Sequence, residues 1–468
     1  MYTKKQIFHY FEQLATKRKK WKRRNQYYHS LLEKYYRHIV PEASRVLEIG
    51  CGTGELLDSL RPTYGKGIDF SPSMISIASR QFPKLDFRIE DAEDLKLREK
   101  FDFVVMSDLI GSLWDIEKAI SELNKVTDEE SRIVISHYNF LWEPTLRLLE
   151  FLGLKARQPL QNWVSKKDVI KLLELEGFEC IRSYRKILFP ARIPLLSRFL
   201  NTFVANLPLV NRLCLVNFII ARKIKEKESE LSVSIVVPAR NEKGNIENAI
   251  LRTPVFGKWQ EFIFIEGGSR DGTYEEMLRV KEKYDSHKIR VAVQSGTGKA
   301  NAVREGFEIA EGEVLIILDA DLTTPPEDMP KFYEALKRNR GEFINGCRLV
   351  YPMEKEAMRF LNYLGNKFFS WFFSFLLDQH LKDTLCGTKV LHRSKYQLIK
   401  TNRSYFGDFD PFGDFDLLFG ASKLNMKIVE VPVRYRQREY GSTQISKFKH
   451  GWLLLRMSLF AARKIKFK

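Results

Sequence analysis

Two stretches, far apart in the chain, each run from a buried-strand pattern into a turn built on glycine or proline: Val46-Leu-Glu-Ile-Gly-Cys-Gly-Thr-Gly54 and Val233-Ser-Ile-Val-Val-Pro238. Each is followed by short apolar strands alternating with amphipathic helical stretches. In the first half the strands are Gly67-Ile68, Asp86–Ile89, Phe101–Val105 and Arg132–Ser136; in the second they include Phe262–Ile265, Arg290–Val293 and Val314–Leu318. Such alternation predicts two doubly wound α/β domains with mainly parallel sheets, whose ligands sit at the carboxyl ends of the strands. A length of 468 residues suits that division. The charged segment Ala221–Glu230 has little to bury and reads as a linker, setting domains of 1–225 and 226–468.

A hydrophobic share of 44% and a charged share of 29% describe a folded chain, neither disordered nor a multi-span membrane protein. The net charge of +18 favours anionic partners. Five scattered cysteines form no C-x-x-C pair, which argues against a disulfide framework or zinc site and for a reducing cytosol. No signal-peptide pattern and no run of about 20 apolar residues is expected to cross a membrane.

In the first domain, Gly50, Gly52 and Gly54 let the backbone turn tightly and approach a ligand. The spacing is G-x-G-x-G, not the dinucleotide G-x-G-x-x-G. Asp69 ends the next strand, where a carboxylate can accept from ribose hydroxyls, and Asp91-Ala92 follows the third strand, within reach of an adenine amine. Together these residues resemble the class I S-adenosylmethionine-dependent methyltransferases over roughly residues 20–225. The resemblance implies a Rossmann-like fold in which Glu48 orients the glycine loop, Asp69 holds the ribose and Asp91 the adenine of S-adenosylmethionine. Asp108 and His137-Tyr138 sit where acceptor-side groups lie. Methyl transfer from a sulfonium needs in-line approach more than an acid or base.

Four elements follow in order in the second domain: Val237–Glu242, Glu266-Gly-Gly-Ser-Arg-Asp-Gly-Thr273, Gly298–Gly306 and Leu318-Asp-Ala-Asp-Leu322. Two carboxylates projecting past a strand end, Asp319 and Asp321, can hold Mg²⁺ or Mn²⁺ against a diphosphate and stabilise it as a leaving group. The set resembles the family 2 glycosyltransferases of GT-A fold across residues 231–468. That resemblance implies that Pro238, Glu242, Glu266, Asp271 and Lys299 serve the nucleotide sugar, with Asp319 and Asp321 on the metal. Many relatives have an aspartate pair where this chain has Glu266-Gly267, which leaves the donor's base open.

Gly346-Cys-Arg348, Arg359 with Asn362, Asp383–Lys389, Val431–Val433, Arg438 and Gly441–Thr443 resemble the dolichyl- or polyprenyl-phosphate branch of that family. The resemblance implies that Arg348, Arg359 and Arg438 face phosphates, which suits a guanidinium fork. A hydroxyl acceptor would instead need a carboxylate base, for which Asp414 and Asp416 are candidates. Phe368–Leu377, Gly451–Lys468 and Phe189–Ile220 read as interfacial stretches suited to a membrane surface. For the basic run Lys17–Arg24 a membrane is preferred over nucleic acid, since no nucleic-acid-binding motif accompanies it. The expectation is a bifunctional enzyme on the cytoplasmic face of a membrane: metal-dependent sugar transfer from a nucleotide sugar to a polyprenyl-phosphate lipid, with methylation of a related glycan or lipid. The alternatives are a sugar transferase with a non-catalytic first domain and an RNA methyltransferase.

Overall fold

Val46, Leu47 and Ile49 have almost no exposure, and burying each side chain contributes about 1.5–3 kcal/mol, so the first strand lies mid-sheet and not at an edge. The computed structural model describes residues 3–157, 161–224, 229–349, 360–403, 414–438, 440, 456 and 458–467. The chain divides into two compact units, Met1–Lys225 and Glu226–Lys466.

The first unit holds β1 (Arg45–Ile49), β2 (Tyr64–Asp69), β3 (Asp86–Ile89), β4 (Phe103–Ser107), β5 (Arg132–Tyr138), β6 (Phe178–Lys186) and β7 (Val216–Lys223) in the order β3-β2-β1-β4-β5-β7-β6. The five strands β1–β5 pair in parallel, and β7 runs antiparallel to both neighbours. The order reverses between β1 and β4, so the ends of β1, β2 and β4 open onto one crevice. Two helices precede the sheet, α1 (Lys4–Arg24) and α2 (Gln26–Ile39). A capping box between Thr3 and Gln6 fixes the start of α1.

The second unit holds β8 (Val233–Ala239), β9 (Gln260–Glu266), β10 (Lys288–Val293), β11 (Val314–Ile317), β12 (Phe343–Cys347), β13 (Lys389–His392) and β14 (Ile428–Pro432) in the order β10-β9-β8-β11-β13-β12-β14. Here β13 is antiparallel to β11 and β12, while the other pairings are parallel.

Two expectations change. Ala221–Lys223 are not linker but the end of β7, with Ala221 and Arg222 buried. Val216–Ile220 are likewise not interfacial: they are interior residues of the same strand, covered on both faces. The aromatic stretch at 368–377 belongs to a helix, Phe360–Leu377, that buries Phe369, Phe373, Leu376 and Leu377 and exposes Phe368 and Trp371. Among the described residues no helix is long and apolar enough to cross a membrane.

Candidate active sites

The turn after β1 carries three glycines with positive φ: Gly50 at 73°, Gly52 at 54° and Gly54 at 82°. At Gly52 a side chain would also collide with the Arg18 guanidinium, 2.6 Å from an added Cβ. The loop is pinned to β2 by Gly50 and Cys51 N–H groups donating to the Ile68 carbonyl. Glu48, inside β1, accepts from Leu57 N–H at 3.0 Å and so ties the strand to the helix after the loop. Burial pushes its carboxyl up to about 8.

Asp69 ends β2 and accepts from Gly52 N–H at 2.9 Å and Ser71 N–H at 3.0 Å, leaving each oxygen one further lone pair. Burial raises its pKa against those hydrogen bonds. Asp91 lies in the turn after β3, where it accepts from Glu93 N–H and pairs with Lys4 at 2.6 Å. Glu48, Gly50, Asp69, Asp91 and Ala92 all border one cavity of about 220 Å³.

The first helix supplies a wall of that cavity which the sequence reading missed. Lys4 reaches Asp91 and Glu93, Glu12 accepts from the Ser71 and Ser73 hydroxyls, and Lys22 pairs with Glu55 at 2.7 Å. Ile7, Phe11, Arg18 and Lys22 line the cavity. The basic run is therefore divided: Arg18 and Lys22 turn inward, while Lys17, Lys19, Lys20 and Arg23 are exposed. The signal was present as helical spacing, since positions 4, 7, 11, 18 and 22 follow the i, i+3/i+4 rule of one helix face.

On the acceptor side, Asp108 lies at the end of β4 with φ of 52°. It accepts from the Tyr28 hydroxyl at 2.5 Å and from Ser136 at 3.2 Å. Burial raises the pKa of Asp108 and pushes that of Tyr28 well up. Asp108 and Tyr138 border the cavity, whereas His137 does not. Neighbouring strand residues point to opposite faces, so His137 is directed away from Tyr138's side, its Nδ1 against the Tyr138 carbonyl. Burial lowers its pKa to about 4, leaving a neutral imidazole in the core and removing it from the acceptor candidates.

In the second unit the ends of β8, β9 and β11 bring most of the expected residues together. Glu242 accepts from Arg438 Nη1 at 2.9 Å and from Asn245 at 2.7 Å. Burial pushes its carboxyl up to about 7, against the nearby Arg438 charge. Asp321 accepts from Arg438 Nη2 at 2.7 Å and from the Thr323 hydroxyl at 2.8 Å. One guanidinium thus clamps two carboxylates. Asp319 pairs with Lys299 at 2.5 Å, which holds its pKa down despite burial. Gly387 lets the backbone pass this pair, because a Cβ there would collide with Asp319 Oδ2.

Glu266 accepts from Ser269 N–H, and Asp271 accepts from Lys243 and Thr273 N–H groups; these bonds lower both carboxyls against the cost of burial. The loops after β8 and β9 are laced together by Asn241 N–H to Ser269 and Arg270 N–H to Asn241. Pro238 lies in the last turn of β8, paired in register with Ile265.

Two assignments are revised. Arg348 makes a two-pronged ion pair with the fully buried Asp383, at 2.7 and 2.8 Å, so two prongs of its fork already have an internal partner. Asp416 is shared by Arg403 at 2.9 Å and Arg304 at 3.2 Å, so its carboxylate is already engaged by two guanidinium groups of the fold. Asp414 begins the helix Asp414–Lys423. Arg359, Gly441–Thr443 and the start of the C-terminal stretch at 451–455 lie outside the described residues.

The donor sets fit the expected groups. The positive-φ loop beside a carboxylate-lined cavity suits an adenosyl ligand carrying an amino-acid tail. Asp319 and Asp321 offer hard oxygen donors to Mg²⁺ or Mn²⁺. Among the described residues no group of three or more His, Cys, Asp or Glu converges to hold a metal, so a cation here would take its remaining ligands from phosphate and water.

Residues 10–183 match the family model described as a methyltransferase domain, and residues 234–397 match glycosyl transferase family 2. The two matches fall in separate compact units of the chain. Over 224 residues, 46% of its length, it is 36% identical to undecaprenyl-phosphate 4-deoxy-4-formamido-L-arabinose transferases of Salmonella paratyphi B and Salmonella newport. The match spans 62% of the length of those curated relatives. Solved structures similar to the chain include a possible histamine N-methyltransferase of Thermotoga maritima (18% identity, 47% of this chain and all of that one, TM-score 0.37). Another is an N-methyltransferase of Bradyrhizobium japonicum in complex with S-adenosyl-L-homocysteine (16% identity, 42% and 88% covered, TM-score 0.31).

Proposed function

We propose that the second unit transfers a sugar from a nucleotide-sugar donor to a polyprenyl-phosphate-type lipid, and that the first uses S-adenosylmethionine to methylate a related glycan or lipid at the inner membrane surface. The observation that carries the sugar-transfer half is the cation–carboxylate cluster of Asp319, Asp321, Lys299 and Arg438 at the strand ends. An incoming polyphosphate can take over Lys299 and Arg438, freeing both aspartates. Mg²⁺ or Mn²⁺ held by Asp319 and Asp321 would supply charge stabilisation to the departing nucleoside diphosphate.

A phosphate monoester acceptor is already anionic, so attack on the anomeric carbon needs no protein base. That agrees with Asp416 being engaged in ion pairs with two arginines. The lipid acceptor is taken from the named activity of the curated relatives.

In the first unit, Asp69 would hold the ribose and the turn at Asp91-Ala92 the adenine, with the glycine loop against the amino-acid tail. Asp108, held by Tyr28 and Ser136, faces the cavity beside Tyr138 and can orient an acceptor hydroxyl or amine for in-line attack. The inward turn of Arg18 and Lys22 weakens the RNA alternative, because two of the seven basic residues of the run are unavailable to a phosphate backbone.

Incubation with a panel of labelled nucleotide sugars and polyprenyl phosphate, with and without Mg²⁺ or Mn²⁺, tests the first half: label should enter the organic phase only with metal. Label appearing solely on a water-soluble acceptor overturns the lipid assignment. S-adenosylmethionine binding by the unaltered protein tests the second half, and its absence leaves a sugar transferase with a silent partner domain.

A further inference from the structure

The segment from Ile193 to Leu213 in the first unit is inside out. Its polar side chains, Ser197, Asn201 and Asn206, are almost fully buried. They act as internal staples. Asn201 accepts from Leu188 and Phe189 N–H groups and donates to the Phe189 carbonyl, Asn206 donates to Thr202, and Asn211 donates to the Arg185 and Ala205 carbonyls. The large apolar side chains point outward instead. Leu195 is 86% exposed and Leu209 76%, with Phe199, Phe203, Leu207 and Leu213 each more than half exposed. Leu195 is held outward at a φ of 60°, a conformation that a branched side chain seldom adopts.

A second apolar run lies beside it. Trp142 Nε1 donates to the Leu213 carbonyl at 2.7 Å and Asn139 to that of Arg212 at 3.0 Å, bringing in Leu141, Leu148 and Phe151, the last 87% exposed. Monomeric proteins seldom expose so many contiguous apolar groups without a partner. Charge identifies the partner's chemistry. From Lys186 to Lys225 the chain has no acidic residue, and Arg192, Arg198 and Arg212 are exposed among the leucines and phenylalanines. Apolar side chains interleaved with arginine fit the headgroup boundary of an anionic bilayer.

We infer that the face formed by residues 193–213, with the neighbouring run at 140–152, inserts into the interface of an anionic lipid membrane and docks the methyltransferase unit there. This deepens the membrane reading above but does not depend on the sugar-transfer assignment. Tyr138, on the cavity wall, leads directly into the 140–152 run, so the methyl acceptor is one presented at the lipid surface.

Phe199→Cys and Leu209→Cys, each in a Cys180→Ser background of the full chain, give attachment points for an environment-sensitive dye; the other four cysteines are buried. Leu175→Cys, 72% exposed elsewhere on the unit, is the control. On phosphatidylglycerol-containing vesicles the first two labels should shift to the blue and be quenched by brominated acyl chains, while the control and pure phosphatidylcholine vesicles give no change. Replacing Arg192, Arg198 and Arg212 together with Gln should weaken vesicle binding about a hundredfold. The inference is overturned if the protein floats with vesicles while both labels keep their aqueous emission. It is equally overturned if the labels are already shielded without lipid, which would mean that a protein surface covers the face. Sugar transfer to a short, water-soluble polyprenyl phosphate should be unchanged in these variants, which separates this inference from the sugar-transfer reading.

Discussion

The two units place their charges differently around strand ends that are otherwise alike. In the first, carboxylates stand on the walls of a cavity roofed by α1, and most accept backbone or hydroxyl hydrogen bonds. In the second, Asp319, Asp321 and Glu242 are matched against Lys299 and Arg438. The first arrangement suits a ligand held by shape and hydrogen bonds. The second suits a polyanion, because lysine and arginine can exchange a carboxylate for a phosphate at little net cost in charge.

The largest effect expected to break this contrast is that of Asp319→Ala. Sugar transfer should fall at least about a thousandfold while S-adenosylmethionine binding is unchanged, measured by label partition and calorimetry. Retained sugar transfer would remove the centre of the reading. Next is Asp69→Ala, which should weaken S-adenosylmethionine binding about a hundredfold and leave sugar transfer alone. Arg438→Lys keeps the charge but loses the fork that spans Glu242 and Asp321. About a tenfold drop in sugar-transfer kcat/KM is expected, and no change would show that the clamp is dispensable.

The smallest effect is on stability and belongs to Glu48. Its carboxyl is raised from about 4.5 to about 8 by burial, so between those values the folded chain keeps a proton that the unfolded chain has lost. Stability from this group is therefore fully present below the lower value and declines as pH rises through the upper one. Glu48→Gln can keep an oxygen acceptor for Leu57 N–H and cannot ionise. Its melting temperature relative to the unaltered protein should improve by about 3–5 °C between pH 6 and pH 8, read by calorimetry.

The parallel centres of both sheets were legible because β1, β4, β8 and β11 are mainly apolar runs leading into recognisable turns. The antiparallel additions were not. Val216–Ile220 forms most of β7, but it continues a stretch of leucines and phenylalanines, and periodicity alone does not separate a buried strand from an apolar surface. Asn201 and Asn206 looked like interruptions of that stretch, whereas they are its buried ties. Asp416 was readable as a carboxylate, but its two arginines lie 13 and 112 residues away in sequence and emerge only from the fold. Arg18 and Lys22 were hidden in a basic run whose exposed members resemble a solvated face.

The roof that α1 lays over the first cavity has a consequence for where the first unit begins. The sheet starts at Arg45, and a fragment cut there would retain the glycine loop, Asp69 and Asp91. It would lack Lys4, Ile7, Phe11, Arg18, Lys22 and Tyr28, and bulk water would then stand where those side chains now sit. Water competes for every hydrogen bond at the site and raises the local dielectric, which weakens the grip of each carboxylate on a ligand. The two helices add no strand to the sheet, yet the first closes the cavity and the second packs Leu32, Tyr35, Tyr36 and Ile39 into the core against the strands, so trimming them would cost both the site and the packing beneath it.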